Sequence, residues 1–77
     1  MSNGKSGTAT DTTYNLVSIV YHALQAVDSY HGYRRDAEEA GDSEVTSLID
    51  QAISQQQNLA QQARKLLAQR LSQESGS

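Results

Sequence analysis

The hexapeptide AGDSEV, residues 40 to 45, decides how this 77-residue chain folds. Glycine at position 41 can adopt the left-handed backbone that ends a helix, at no steric cost. One residue later, Asp42 or Ser43 offers a side-chain oxygen to the first free backbone donors of a new helix, and the carboxylates of Asp42 and Glu44 suit its positive end. A stop and a start therefore fall within a few residues. What lies on either side must be two helices that turn back on each other.

Upstream of the turn, Leu16, Val20, Ala23, Val27, Tyr30 and Ala37 recur at alternating steps of four and three, the period of an amphipathic helix. A polar stripe that includes Asn15, His22, Gln25 and Ser29 keeps the same spacing. Asp11, Thr12 or Thr13 can supply the N-cap, which predicts a first helix over about 13–40. Downstream, Val45, Ile49, Ala52, Ile53, Leu59, Ala60, Ala63, Leu66, Leu67 and Leu71 gather on one side of a second helix over about 43–72. Arg64, Lys65 and Arg70 occupy its last turns, where cations complement the helix dipole. Residues 1–12 and 73–77 are small and polar, and read as flexible tails.

Composition agrees. The chain has no proline, tryptophan, phenylalanine or cysteine, while Ala, Gln, Leu, Glu and Arg dominate, as in long helices. The absence of cysteine removes disulfides, thiolate metal sites and cysteine nucleophiles, and fits a reducing compartment. Net charge is -3 with mixed signs, so neither a nucleic-acid footprint nor a polybasic membrane patch is indicated. No apolar run approaches the roughly 18 to 20 residues that span a bilayer. Nor does an apolar signal segment open the sequence, which predicts a cytoplasmic protein. With no glycine-rich phosphate loop and no serine set beside a histidine and an acid, nothing demands catalysis.

Two helices this long, joined this tightly, make an antiparallel αα-hairpin. Helix 1 also carries a second nonpolar set, Val17, Ile19, Tyr21, Leu24, Ala26 and Tyr33, so its apolar surface is too wide for one partner helix. A domain of this length buries only about 60% of its unfolded surface, and oligomerisation is the remaining way to add core. The expected architecture is all-α: two hairpins paired as a homodimer into a four-helix bundle. Leu16, Val20, Val27, Tyr30, Ile49, Ile53, Gln56, Leu59 and Leu66 are the residues expected to hold it. Another protein supplying the second hairpin is the variant of the same idea, with the apolar face as docking surface.

The run from Tyr21 to Leu67 resembles half of a ferritin-like bundle, as in rubrerythrins and short encapsulated ferritins. The matching marks are Tyr30 in the middle of helix 1, Tyr33 one turn on, the small Ala37, the turn Gly41 and the spacing into helix 2. Such bundles work through a di-iron site of glutamates and Glu-x-x-His motifs. Laid over this chain, the resemblance puts those ligand positions on Gln56 and Leu59, and on Ala23 or Gln25. None is a carboxylate or an imidazole, so the resemblance implies a bundle without its iron, and no cofactor is expected.

Gln56 interrupts an apolar row inside SQQQNLAQQA, residues 54–63. If buried, its amide needs partners such as its own symmetry mate or the hydroxyls of Tyr21 and Tyr30. If it borders the core, its stem packs and its amide stays in water. Asp28 and His31 form the one carboxylate–imidazole pair at i, i+3 spacing. Duplicated in a dimer, and joined by Asp36, Glu44 or Asp50, they are the alternative reading: non-standard ligands of an iron-binding or oxidase-type protein. The competing reading is an exposed surface pair. Arg34 with Glu38 and Arg35 with Glu39 are i, i+4 pairs, and His22 is expected in solvent.

Overall fold

A computed structural model describes residues 9–76 of the chain. It contains α1, Ala9–Glu39, and α2, Ser43–Gly76, packed against each other, with no other element among the described residues. Helix α1 starts at Ala9, four residues before the expected start at about 13, so that Asp11, Thr12 and Thr13 lie inside the helix and not at its N-cap. Asp11 thereby falls in its first turn, where a carboxylate opposes the exposed donors favourably. Helix α2 likewise continues past Ser72, because no glycine or proline interrupts 43–75. Residues 1–8 and Ser77, assigned to the tails in the sequence reading, lie outside the described residues. No helix of the described residues is long and apolar enough to cross a membrane.

The turn uses one residue twice. Gly41 has φ +69°; its amide donates to the Glu38 carbonyl at 3.0 Å and the Asp42 amide donates to the Ala37 carbonyl at 2.9 Å. These are the two bonds of a Schellman C-cap. Asp42 is also the N-cap of α2, its Oδ1 accepting from the Val45 amide at 3.1 Å while its carbonyl takes the Thr46 amide at 3.0 Å. Closing one helix and opening the next through the same residue leaves no slack. The hairpin has to be antiparallel.

Between the helices the seam is narrow. Ala23, Val27 and Ala37 of α1, and Ile53, Ala60 and Ala63 of α2, are the buried apolar residues. Four of these six are alanine, so the helices approach closely and bury little side chain. Flanking them in the seam, Leu16, Val20, Tyr30, Ile49 and Leu67 are half-buried. The inward row of α2 runs 49, 53, 56, 60, 63, 67 and that of α1 runs 16, 20, 23, 27, 30, 34, 37, both stepping by three and four. Such a pair of rows makes coiled-coil-like seams.

The body measures 54 × 28 × 14 Å with a radius of gyration of 16.8 Å, whereas a compact domain of this length has about 11–12 Å. Its thin dimension is little more than one helix diameter, about 10–12 Å. Domains normally bury an apolar face between two packed layers. This hairpin is one layer.

Candidate functional site: an apolar face left open on the hairpin

Because the seam takes only one row from each helix, the remaining apolar residues point outward. Tyr14, Val17, Ile19, Tyr21, Leu24 and Tyr33 of α1 are exposed, as are Val45, Leu48, Leu59, Leu66 and Leu71 of α2. Leu48 is the extreme aliphatic case, at 63% exposure. The second nonpolar set read from α1 is therefore on the surface of the hairpin, with Ala26 half-buried beside it.

These residues are not spread evenly. Each helix turns by about 100° per residue, so Ile19, Ala26 and Tyr33 fall on one flank of the α1 inward row, and Val17, Tyr21 and Leu24 on the other. On α2, Val45, Leu48, Ala52, Leu59 and Leu66 share one flank, while Asp50, Gln57 and Arg64 share the opposite one. In an antiparallel pair, flanks displaced in the same rotational sense lie on the same side. Ile19, Ala26 and Tyr33 thus join the α2 leucines on a single broad face. The other broad face has Val17, Tyr21 and Leu24 beside the charged and amide flank of α2.

The residues expected to hold a dimer divide accordingly. Leu16, Val20, Val27, Tyr30, Ile49, Ile53 and Gln56 lie along the seam within one hairpin, whereas Leu59 and Leu66 stand outside it at 44% and 43% exposure. Gln56 is half-buried, with no buried polar side-chain atom left unsatisfied among the described residues. Within the hairpin its stem borders the seam and its amide reaches water. Tyr21 does not turn toward it: its hydroxyl accepts from Gln25 Nε2 at 3.1 Å on the outer surface of α1.

Charge chemistry concentrates near the turn. Arg34 occupies an inward-row position and reaches across to α2, its Nε donating to Asp50 Oδ1 at 2.6 Å and its Nη2 to Oδ2 at 3.3 Å. Its Nη1 donates to Glu38 Oε2 at 2.5 Å. Hydrogen bonding to Asp50, then to Glu38, raises the guanidinium's pKa, and the bond from Arg34 holds the Asp50 carboxyl below its ordinary value. Of the two ion pairs, Arg34–Glu38 is legible in the sequence as an i, i+4 pair, whereas Asp50 was weighed there only as a metal ligand. The signal was there: position 34 belongs to the inward row, and the three-residue turn 40–42 brings it level with position 50. Among the described residues, Arg35 and Glu39 make no ion pair with each other.

An open hollow of about 440 Å³ lies at the turn, lined by Glu38, Asp42, Ser43, Thr46 and Asp50 among others. Its carboxylates are already engaged, Glu38 and Asp50 by Arg34 and Asp42 by the Val45 amide. A second open hollow of about 380 Å³ on the outside of α1 is lined by His22, Gln25, Ala26, Asp28 and Ser29. Asp28, His31 and His22 are all exposed, and His22 lies edge-on to the Tyr21 ring at 5.4 Å. No three His, Asp or Glu side chains come together as a metal-binding group among the described residues.

The chain matches no protein-family model, and comparison with curated proteins and with solved structures finds no match. The likeness to ferritin-like hairpins therefore rests on the residues quoted for it above.

Proposed function

We propose that the chain is a small non-catalytic structural or interaction protein that works as a homodimer, two hairpins forming a ferritin-like four-helix bundle without a di-iron site. The observation that carries this reading is the row of large apolar residues, Leu48, Leu59, Leu66 and Tyr33 among them, left exposed on a body one layer thick. The chain exposes 5528 Å², against about 4,600 Å² for a compact monomer of this mass by size scaling. Support for the missing iron site comes from donor chemistry: Gln56, Leu59, Ala23 and Gln25 offer no anionic oxygen or imidazole to a hard cation. A chain without cysteine suits the cytoplasm, where we place it.

Sedimentation equilibrium at micromolar concentration tests the assembly. A mass of twice 8.4 kDa is expected, with Leu59→Asp shifting the protein toward monomer while Asp28→Ala leaves the mass unchanged. A folded monomer across the micromolar range would falsify the reading. Metal analysis of the same dimer is expected to find less than one iron per chain; stoichiometric iron lost on Asp28→Ala would instead favour Asp28 and His31 as ligands.

A further inference from the structure

Resting on that reading of the chain as a homodimer, we infer that the second copy docks on the broad face of Ile19, Tyr33, Leu48, Leu59 and Leu66 with its turn at the opposite end, Gln55 meeting its own mate at the two-fold axis. Three observations carry this arrangement. The first is location. This face has large apolar residues of both helices along most of its length, whereas on the other the aromatic flank of α1 lies beside Asp50, Gln57 and Arg64, with Leu71 of α2 only at the far end.

The second is the symmetry of the pattern. On α2 the outward row runs Val45, Leu48, Ala52, Gln55, Leu59, Gln62, Leu66 in steps of three and four, the spacing of a helix–helix seam. Reversed about Gln55, the row overlays itself in spacing: Val45 comes level with the partner's Leu66, Leu48 with the partner's Gln62, and Ala52 with the partner's Leu59. In the Val45–Leu66 and Ala52–Leu59 pairs a smaller residue faces a larger one, as interdigitation requires. On α1, Ile19, Ala26 and Tyr33 are spaced by heptads and continue the apolar face along the hairpin. With Arg34 level with Asp50, an axis through Gln55 crosses α1 near Ser29, about 4.5 Å from Ala26 at 1.5 Å per residue, so α2 sets the register and α1 follows it. The Gln55 pair at that axis is the kind of buried polar contact that fixes register in coiled coils.

The third is charge. Residues 34–50, at the turn, carry six carboxylates and two arginines, while residues 64–70 carry three cations and no carboxylate. With turns at opposite ends, Lys65 and Arg70 of one copy lie near Asp42 and Glu44 of the other. With both turns at one end, the acidic ends would stand side by side and repel.

Engineered cysteines separate the two arrangements in a chain that has none of its own. A disulfide needs Cα atoms within about 7 Å. At the axis, Gln55→Cys meets that condition; with both turns at one end, the α2 helices sit on the diagonal of the bundle, about 12–14 Å apart for helices spaced 8–10 Å. Leu66→Cys is the control, since its two copies stand about 30 Å apart in the proposed arrangement. Full-length Gln55→Cys under mild oxidation is expected to run as a covalent dimer at least tenfold faster than Leu66→Cys. Mixing Val45→Cys with Leu66→Cys is expected to give the crossed product. If sedimentation shows a dimer and Gln55→Cys fails to crosslink, the arrangement is overturned and the dimer reading stands. If the protein is a monomer, both fall.

Discussion

Arg34 of α1 holds Asp50 of α2 through two hydrogen bonds, at 2.6 and 3.3 Å, and the same guanidinium also engages Glu38. This is the polar link that the hairpin makes between its helices near the turn, placed where the inward row would otherwise continue with an apolar side chain. A planar, always-charged group can bridge two carboxylates on different helices, which lysine cannot do as well. The link sets the level of one helix against the other.

Its pH dependence follows from the direction of the shift. The folded-state Asp50 carboxyl titrates below its ordinary value because Arg34 donates to it. Its stabilising contribution is therefore complete above the ordinary carboxylate range and is lost as pH falls through the depressed value. Thermal melts from neutral pH down to about pH 2 are expected to show a smaller decline in Tm for Asp50→Asn than for the parent chain. An equal decline in both would mean that the pair contributes nothing.

Gly41 is strained for any other residue. A Cβ there would meet no heavy atom within 4 Å, yet φ is +69°, so the cost of Gly41→Ala is one of backbone conformation and not of space. A loss of about 1–2 kcal/mol is expected from urea melts at fixed protein concentration.

Gly32 is the opposite case. It lies inside α1, and an added Cβ would meet only Arg35 Nη2, at an ordinary 3.8 Å. Replacing a helix-interior glycine by alanine reduces the freedom of the unfolded chain, so Gly32→Ala is expected to stabilise by about 0.5–1 kcal/mol in the same melts. Destabilisation would indicate that this position needs a bare backbone for some contact outside the hairpin.

The alanine seam can be tested by filling it. Ala23 and Ala60 are each 2% exposed, and counting back from the turn places them level. Ala60→Leu is expected to push the helices apart and cost about 1–3 kcal/mol. Loss of the α2 N-cap in Asp42→Ala is expected to cost about 1 kcal/mol, and to reduce helicity by circular dichroism.

The two helices, their amphipathic rows and the turn between them were legible in the residues, because helical period and capping chemistry are local: AGDSEV carries both a stop and a start. The excess of apolar surface was legible too, since Val17, Tyr21 and Tyr33 could not all share the row of Val20 and Val27. The division of labour among the α2 residues was not. Ile49, Ile53 and Leu59 read as one apolar side, but rows roughly 80–100° apart diverge once a single neighbouring helix covers only one of them. So Ile53 enters the seam and Leu59 faces out. The role of Asp50 as the partner of Arg34, and not as a metal ligand, was hidden for a related reason: the two are sixteen residues apart, and i, i+4 spacing carries no trace of the pair. By itself, the sequence determined two capped, amphipathic helices with more apolar surface than one contact can use. Tertiary structure alone decided which of those side chains close the hairpin and which remain outside it, since that depends on the rotation and register of each helix against the other.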